Sequence, residues 1–254
     1  MWAYPKIIAH RGGGILAPEN TLAAFRCGVS HGFRAVEFDV MLAKDGVPVV
    51  MHDPKLGRTV SGAGSVADYT SHALTQMDAG AWFDQAFAGE RVPTYEQVAT
   101  FCRDNEIWMN VEIKPVPGFE EATGRVVAQY TKRLFADLLA LDADDPSRAM
   151  LPLFSSFSFE AIRAAQRAAP GIPRALLLDG VPDDWRERVD TLGAVAIDTN
   201  YRKLTEVQAR TIRDAGIGLF CYTVNEPERA RELFAWGVNA ICTDRIDLIG
   251  PRFG

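Results

Sequence analysis

The chain has 254 residues, 48% hydrophobic and 24% charged, which is enough to bury the core of one large α/β domain or two small ones. Its net charge of −6 argues against general nucleic-acid binding, and no apolar run approaches the roughly 20 residues of a membrane span. Because the first residues lack a basic start followed by a long apolar stretch, we expect no signal peptide, a cytoplasmic location and no stable membrane association.

The chain begins with a short strand and a helix. An apolar strand over residues 7–9 ends at His10 and Arg11, and a glycine-rich turn follows these two residues. Asn20 is then positioned to cap a helix with a stripe of apolar side chains. The sequence therefore predicts that His10 and Arg11 lie at the carboxyl end of a buried strand.

A β-hairpin comes next in the chain. Glu37 and Asp39 alternate with apolar residues, so the period of a strand puts both carboxylates on one face. The turn at Lys44-Asp45-Gly46 allows two registers, which put His52 opposite Asp39 or opposite Glu37. In either register the imidazole lies on the carboxylate face. This pattern indicates a metal site beside an acid/base group, and an exposed ribbon with one polar face is the alternative interpretation.

The segment that follows the hairpin differs from the rest of the chain in composition and periodicity. About residues 53–92 contain many glycines and small polar residues, and no periodicity is sustained there. Long irregular segments in compact domains often serve as lids or substrate loops. We therefore expect an insertion, helical in part near Ala73, that lies over one end of the fold.

Strands and helices then alternate regularly to the end of the chain. With the strands near residues 8 and 38, further strands are predicted near residues 111, 153, 176, 197, 220 and 242. One intervening helix is expected to extend from residue 126 to 141, and Asn225 is expected to begin the cap of the last helix. Eight βα units predict a (β/α)8 TIM barrel, with a doubly wound sheet as the competing fold. We treat residues 1–254 as one domain.

Charged residues concentrate at the predicted carboxyl ends of the first three strands, where barrel enzymes carry their sites. Glu37, Asp39 and Glu112 supply three carboxylates from neighbouring strands, a ligand set that suits one hard divalent cation, Mg²⁺ or Ca²⁺. Arg11 and Lys114 would change the net charge of the site from negative to positive. The resulting field suits an anionic phosphodiester.

Two histidines complete this group. Phosphodiester hydrolysis needs one proton removed from a nucleophile and one donated to the leaving alcohol, and His10 and His52 suit that division. We interpret the other two histidines as surface or structural residues. Glu19 and Asn20 are expected to orient His10 and Arg11 and to cap the helix.

The residues named so far resemble the glycerophosphodiester phosphodiesterase family, and the resemblance covers nearly the whole chain. The motifs that carry it are His10-Arg11-Gly12, Pro18-Glu19-Asn20-Thr21, Glu37-Phe38-Asp39-Val40, Lys44-Asp45-Gly46, His52-Asp53, Glu112-Ile113-Lys114-Pro115, Phe154-Ser155-Ser156-Phe157, Tyr222-Thr223-Val224-Asn225 and Cys242-Thr243-Asp244. Within the family, the chain resembles the cytosolic bacterial members that accompany glycerol-3-phosphate uptake.

The resemblance implies a metal-dependent enzyme that releases an alcohol and sn-glycerol 3-phosphate from deacylated phospholipids. It assigns Glu37, Asp39 and Glu112 as metal ligands and His10 and His52 as the acid/base pair. Phosphate contacts are assigned to Arg11 and Lys114. Supporting positions are Glu19, Asn20, Asp53 and Phe157. Tyr222 stands where the family often has Trp, which leaves its role open between packing in the wall and contact with the substrate.

Several alternatives stay open from the sequence. A phospholipase D-like or lyase activity on lipids would use the same fold, and a non-catalytic glycerophosphodiester-binding protein would not need two proton-transfer groups. The nucleophile could be the substrate's own 2-hydroxyl, which gives a cyclic phosphate, or a water molecule. The partner expected is a small-molecule glycerophosphodiester. The oligomeric state is undetermined, with a homodimer as one option.

Overall fold

The computed structural model describes residues 4–253, in which parallel strands form a ring and helices surround it. The strands of this part of the chain are β1 (Ile7–Ala9), β2 (Ala35–Leu42), β3 (Pro48–Val50), β4 (Trp108–Ile113), β5 (Leu153–Ser155), β6 (Ala175–Leu178), β7 (Ala196–Asn200), β8 (Gly218–Tyr222) and β9 (Ala240–Thr243). Each strand predicted from the sequence is present. The start of the chain, on which the signal-peptide prediction partly rests, includes residues 1–3, which lie outside the described residues, as does residue 254.

Hydrogen bonds join the strands of the ring in the order β5-β4-β2-β1-β9-β8-β7-β6, and β3 pairs antiparallel with β2 outside that order. A parallel bridge between Phe154 and Arg174 joins the two ends, so the ring is nearly closed. Eight parallel strands with intervening helices form a (β/α)8 TIM barrel, as predicted. The alternative of a doubly wound sheet is wrong, because such a sheet keeps two open edges.

Helices pack around the ring and connect its strands. They are α1 (Leu22–Ser30), α2 (Ser71–Leu74), α3 (Tyr95–Asp104), α4 (Glu120–Leu134), α5 (Ala136–Leu139), α6 (Phe159–Ala168), α7 (Trp185–Leu192), α8 (Glu206–Asp214) and α9 (Pro227–Trp236), with short 3-10 helices at Gly14–Leu16, Val66–Asp68, Gln85–Phe87 and Pro146–Met150. Within residues 4–253, no helix combines the length and the apolar character needed to cross a membrane.

The boundaries of α1 and α4 differ from the sequence predictions. The cap of α1 is Thr21, whose side chain accepts a hydrogen bond from the backbone N–H of Ala24, and Asn20 precedes it with a φ of 60°. The helix predicted to continue to residue 141 is interrupted at Phe135. This residue leaves helical geometry and its ring is almost fully buried, so core packing overrides the continuous apolar stripe.

The register of the β2–β3 hairpin differs from both predicted registers. Its ladder places His52 level with Phe38, opposite neither Glu37 nor Asp39. The physical reason is the loop over residues 43–47, which has an odd number of residues, whereas both predictions require an even number. His52 still lines the same cavity as the carboxylates, because β3 has already ended and side-chain alternation no longer governs its direction.

Apolar side chains fill the barrel and the layer around it. The interior cluster includes the first residues of several strands, among them Ala35, Trp108 and Ala196, so the ring is filled where the strands begin. A larger cluster between ring and helices includes Phe25 and Ile162. The starts of the strands are therefore apolar, and the polar side chains of the strands lie at the opposite, carboxyl end of the ring.

The segment over residues 53–92 contains α2 and two 3-10 helices, in agreement with the prediction of a partly helical region. Leu56 and Leu74 of this segment pack with Met41 and Val49 of the hairpin in a hydrophobic cluster separate from the main core. This packing fixes the segment beside the end of β2. The carboxylates of the site are carried by the same strand.

Candidate active site

Three carboxylates meet at the carboxyl ends of β2 and β4. Oxygen atoms of Glu37, Asp39 and Glu112 all lie within 4.8 Å of one another, and the three residues are buried, with exposures of 6%, 1% and 8%. Burial and the charge of Asp39 raise the pKa of Glu37 to about 7 and also raise the pKa of Glu112. Glu112 Oε1 has no hydrogen-bond partner among residues 4–253. Such a group of oxygen atoms suits a hard cation, which would offset the repulsion.

Two positive side chains flank Asp39. Lys114 Nζ donates a hydrogen bond of 2.9 Å to Oδ1, and Arg11 Nε lies 3.7 Å from Oδ2. Burial would raise the pKa of Asp39, but the charges of Lys114 and Arg11 outweigh it and hold the pKa well below its usual range. Asn20 Nδ2 donates to Asp39 Oδ2 at 2.9 Å. Asn20 therefore orients a carboxylate instead of capping α1.

The loop after β1 adopts an unusual backbone conformation. Arg11 has a φ of 49°, in the left-handed region that non-glycine residues seldom occupy, and its N–H donates to Glu37 Oε2 at 3.2 Å. A Cβ atom at Gly14 would lie 2.0 Å from the carbonyl oxygen of Asp244. Only glycine therefore allows this loop to pack against the end of β9, which brings His10 into the site.

His10 is held by a carboxylate that directly follows the last strand. Its Nδ1 lies 2.5 Å from Asp244 Oδ1, and its Nε2 lies 3.7 Å from Glu37 Oε2. Asn225 orients Asp244 by donating to Oδ2 and accepting from its backbone N–H, whereas the N-cap of α9 is Glu226 and makes no side-chain cap bond. Burial alone would lower the pKa of His10, but the bond to Asp244 and the charge of Glu37 outweigh it and raise the pKa.

His52 is held in a parallel way on the other side of the carboxylates. Its Nδ1 lies 2.6 Å from Asp53 Oδ1, and Arg58 donates to Asp53 Oδ2 at 2.6 Å. Arg58 also donates two hydrogen bonds of 2.7 Å to Glu19, which accepts another from Arg11. Burial lowers the pKa of His52, so the two histidines are shifted in opposite directions.

The side of the cavity formed by β5 to β8 is less charged. Phe157 and Tyr222 pack edge to face with ring centroids 5.8 Å apart, and Phe157 is 52% exposed. The Tyr222 hydroxyl donates to the Leu178 carbonyl at 2.9 Å, so this group is already bonded within the wall. Asp198 lines the same cavity, and burial raises its pKa well above the usual value.

The structure brings most of the predicted residues together in one cavity with a volume of about 150 Å³. Those that line it are His10, Arg11, Glu37, His52, Glu112, Lys114, Phe157 and Tyr222. Asp39 lies behind this lining, while Glu19, Asn20 and Asp53 hold lining residues or Asp39 from outside. Glu19 orients Arg11, as predicted, but His10 is oriented by Asp244.

Three supporting residues were not assigned roles from the sequence. Asp244 and Asn225 are recognisable in the sequence as residues of two family motifs, and Asn225 also as a helix cap, but neither motif reveals the bond between them or the bond to His10. Arg58 has no local pattern that reveals its bonds. An acidic residue directly after the last strand was the one available signal. His31 and His72 are exposed, in agreement with their interpretation as surface residues.

These features define the class of the protein: a (β/α)8-barrel enzyme with its site at the carboxyl ends of the strands. The sequence model of the Glycerophosphoryl diester phosphodiesterase family matches residues 10–248. The chain belongs to this family, and it is a glycerophosphodiester phosphodiesterase by class.

Individual relatives agree with this assignment. A glycerophosphodiester phosphodiesterase of Caldanaerobacter subterraneus is 32% identical over 94% of this chain and 93% of its own length. A phosphodiesterase from Oleispira antarctica, solved in complex with the product sn-glycerol-3-phosphate, is 32% identical and covers 95% of this chain and 93% of its own, with a TM-score of 0.85. A glycerophosphodiester phosphodiesterase from Agrobacterium tumefaciens is 27% identical over 96% of this chain and 98% of its own, with a TM-score of 0.77.

Proposed function

We propose that this enzyme hydrolyses glycerophosphodiesters with the help of one divalent cation and releases an alcohol and sn-glycerol 3-phosphate. The observation that carries the proposal is the clustering of Glu37, Asp39 and Glu112 within 4.8 Å, next to two histidines held by carboxylates. The product bound to the Oleispira antarctica relative supports the glycerol half of the substrate.

Glu37, Asp39 and Glu112 are the proposed ligands of the cation. All of their donor atoms are oxygens, which favours Mg²⁺ or Ca²⁺ over softer metals. The raised pKa of Glu37 and Glu112 supports this ligand set, because burial and the nearby charge of Asp39 both disfavour the ionised carboxylates, and a bound cation would offset both effects. When bound, the cation would polarise phosphoryl oxygens and offset negative charge.

Arg11 and Lys114 are proposed to bind the phosphate of the substrate. Both side chains line the cavity and have their positive groups within 4 Å of Asp39, so they are held beside the proposed cation site. The guanidinium of Arg11 can offer a planar pair of donors, whereas the ammonium of Lys114 acts as a point charge. Glu19 fixes the direction of the Arg11 guanidinium.

His10 and His52 are proposed to move the two protons of the reaction. Each imidazole lines the cavity and has Nδ1 bonded to a carboxylate, which leaves Nε2 for proton transfer. One imidazole would accept the proton of the nucleophile and the other would donate a proton to the leaving alcohol.

The substrate's own 2-hydroxyl is the nucleophile that we favour, because an oxygen already positioned beside phosphorus has an entropic advantage over water. The test compares a glycerol diester with the matching 1,3-propanediol diester at saturation. Loss of turnover with the deoxy compound, and an early cyclic phosphate with the glycerol compound, would support this route. Equal kcat values without a cyclic product would exclude it.

The segment over residues 53–92 is proposed to limit access to the cavity and to belong to one domain with the barrel. Its Arg58 bonds to Glu19 of the loop after β1, and its Glu90 bonds to Arg26 of α1. A cytoplasmic location and the oligomeric state stay predictions.

The test of the proposed function is a product assay. Purified protein is incubated with glycerophosphocholine, glycerophosphoethanolamine and an acylated lysolipid, with Mg²⁺ or Ca²⁺ and with excess EDTA. We expect glycerol 3-phosphate from the first two compounds only when the cation is present. Release of the head-group alcohol from the lysolipid alone would contradict the proposal in favour of a lipid substrate. Full activity after exhaustive dialysis into EDTA would contradict the metal requirement.

A further inference from the structure

Three polar side chains on the inner face of the barrel have no role in the chemistry proposed above. They are Asn110 of β4, Ser155 of β5 and Asp198 of β7, and we call them the polar floor. Their exposures are 1%, 0% and 3%, and all three line the cavity that contains the carboxylate cluster. The floor therefore faces the proposed substrate site from the barrel interior.

Each residue of the polar floor has an oxygen atom without a partner. Asn110 Oδ1, Ser155 Oγ and Asp198 Oδ1 are buried and make no hydrogen bond to any of residues 4–253. Buried polar groups in native proteins nearly always have a partner, and leaving one unpaired is costly. Three such atoms in one cavity indicate that the floor bonds to something that enters it.

The floor is unsuited to an anion. Arg11 and Lys114, the basic residues of this cavity, belong to the β1 and β4 side and lie next to Asp39. The lining contributed by β5 to β9 has no basic residue among those described, and Asp198 adds an acidic one. A phosphate is thus favoured at the basic side, away from Asp198.

A neutral group with several hydroxyls fits the floor. A hydroxyl can donate to the Asn110 or Asp198 oxygen, and it can both donate to and accept from Ser155. The carbon atoms of such a group would contact Leu177 and Cys242, which line the same cavity. The cavity volume of about 150 Å³ exceeds the roughly 30 Å³ that one water occupies in the liquid, so it has room for more than a single water molecule.

We propose that the polar floor is a polyol subsite, in which Asn110, Ser155 and Asp198 bind the hydroxyls of the glycerol half of the substrate. This inference rests on the proposed function for the identity of the polyol. The floor then selects which side of the phosphodiester enters the barrel. The leaving alcohol stays toward the open side of the cavity, where Phe157 is exposed.

The test measures binding and stability and does not depend on turnover. The protein with Mg²⁺ is titrated by calorimetry with sn-glycerol 3-phosphate, with propyl phosphate, which lacks both hydroxyls, and with inorganic phosphate. We expect wild type to bind glycerol 3-phosphate about tenfold or more tightly than propyl phosphate, because an analogue without the hydroxyls leaves the floor unpaired. Asp198→Leu and Ser155→Ala should reduce this ratio towards one, with little change in the affinity for inorganic phosphate.

Thermal unfolding separates this role from a structural one. Because Asp198 and Ser155 have unpaired buried oxygens, the apolar replacements should keep or raise the Tm of the unliganded protein. Ser156→Ala is the matched control, since the Ser156 hydroxyl donates to the Ile113 carbonyl at 2.6 Å and accepts from the Ser158 N–H. This control should lower the Tm and leave the affinity ratio unchanged.

The outcomes distinguish this inference from the proposed function. If wild type binds glycerol 3-phosphate and propyl phosphate equally, the floor holds only water and the inference is wrong. It is also wrong if Ser155→Ala, a mild change that tests the site even where Asp198→Leu does not fold, keeps the full ratio. If the ratio is high and depends on the floor but glycerophosphocholine is not hydrolysed, the polyol subsite stands and the proposed function fails.

Discussion

The two sides of the barrel mouth differ in how their polar groups are held. On the side of β1, β2 and β4, charged side chains form a continuous network in which His10, Arg11 and His52 each bond to a carboxylate. On the side of β5 to β8, Asp198 is buried with an unpaired oxygen, and an aromatic pair forms the rim.

This difference indicates that the two sides of the barrel mouth have different roles in the reaction. Groups that must transfer protons or hold charge need fixed directions, which the network supplies through bonds on both oxygens of Asp39, Asp53 and Asp244. Groups that recognise a neutral part of the substrate can stay without a hydrogen-bond partner until the substrate binds. Variants on the two sides should therefore alter different kinetic quantities, and we order them from the largest expected effect to the smallest.

Removing a proposed metal ligand should have the largest effect. Glu37→Gln or Glu112→Gln should lower kcat by about 10³-fold or more, because the loss of several kcal/mol of charge stabilisation corresponds to that factor. Release of glycerol 3-phosphate is the measurement. Glu96→Gln, which loses only a surface pair with Arg133, is the control and should keep wild-type activity. Retained activity in both ligand variants would show that the acidic cluster does not bind a required metal.

Removing either histidine of the network should rank second. His10→Ala and His52→Ala should each lower kcat by about 10²–10⁴-fold, the usual contribution of a general acid or base. His31→Ala and His72→Ala test exposed positions of the same residue type and should have little effect. Similar losses at all four positions would contradict the assignment, whereas a double variant that loses less than the product of the single effects would support a pair acting as a unit.

Removing a side chain that supports the charged network from outside the cavity should have an intermediate effect on kcat. Arg58→Met removes the bonds to Asp53 and Glu19, which orient His52 and Arg11, and should lower kcat by about 10-fold. A variant with unchanged kcat over the full pH range would show that these bonds do not position the catalytic groups. Arg210→Met, which loses an exposed pair with Glu206, is a suitable control.

The same Arg58→Met variant gives a prediction on stability against pH. The bond from Arg58 lowers the pKa of Asp53 to about 2 in the folded protein, below its ordinary value of 3.8. A lowered folded-state pKa contributes stability that is present above the ordinary pKa and is lost as pH falls through the folded-state value. Denaturant unfolding should therefore show a difference between wild type and variant at neutral pH that shrinks between about pH 4 and 2. A constant difference would contradict this origin.

Changing the rim of the less charged side should have the smallest effect on kcat. Phe157→Ala removes a half-exposed ring whose burial contributes about 1 kcal/mol, so KM should rise by less than about tenfold while kcat stays nearly constant. The change should differ between glycerophosphocholine and glycerophosphoethanolamine if the rim contacts the leaving alcohol. A large fall in kcat would show that the division between the two sides is wrong.

Local sequence patterns predicted much of the site because its strands obey simple periodicity. The alternation at Glu37 and Asp39, for example, depends only on neighbouring residues. The predicted register of His52 was wrong because the length of the loop over residues 43–47 is odd. That length depends on the hydrogen bonds that the loop makes with surrounding chain, which the turn motif does not specify.

Polar residues with two possible uses could not be assigned from the sequence. Asn20 and Asn225 both precede helices, so capping was the local interpretation, yet Asn20 bonds to Asp39 and Asn225 to Asp244. A cap needs only the next turn of the same helix, whereas these bonds depend on where another strand ends. In both cases the tertiary contact replaces the local one.

The sequence by itself determined the order of strands and helices, the alternating faces of β2 and the residue types at the strand ends, because these follow from side-chain period and turn chemistry within a few positions. Only the tertiary structure decided the partners. His10 and Asp244 are 234 positions apart and meet because β1 pairs with β9, and Asn110, Ser155 and Asp198 share one cavity because the ring brings their three strands together. A sequence records which groups can bond, and ring closure sets which of them are near enough to do so.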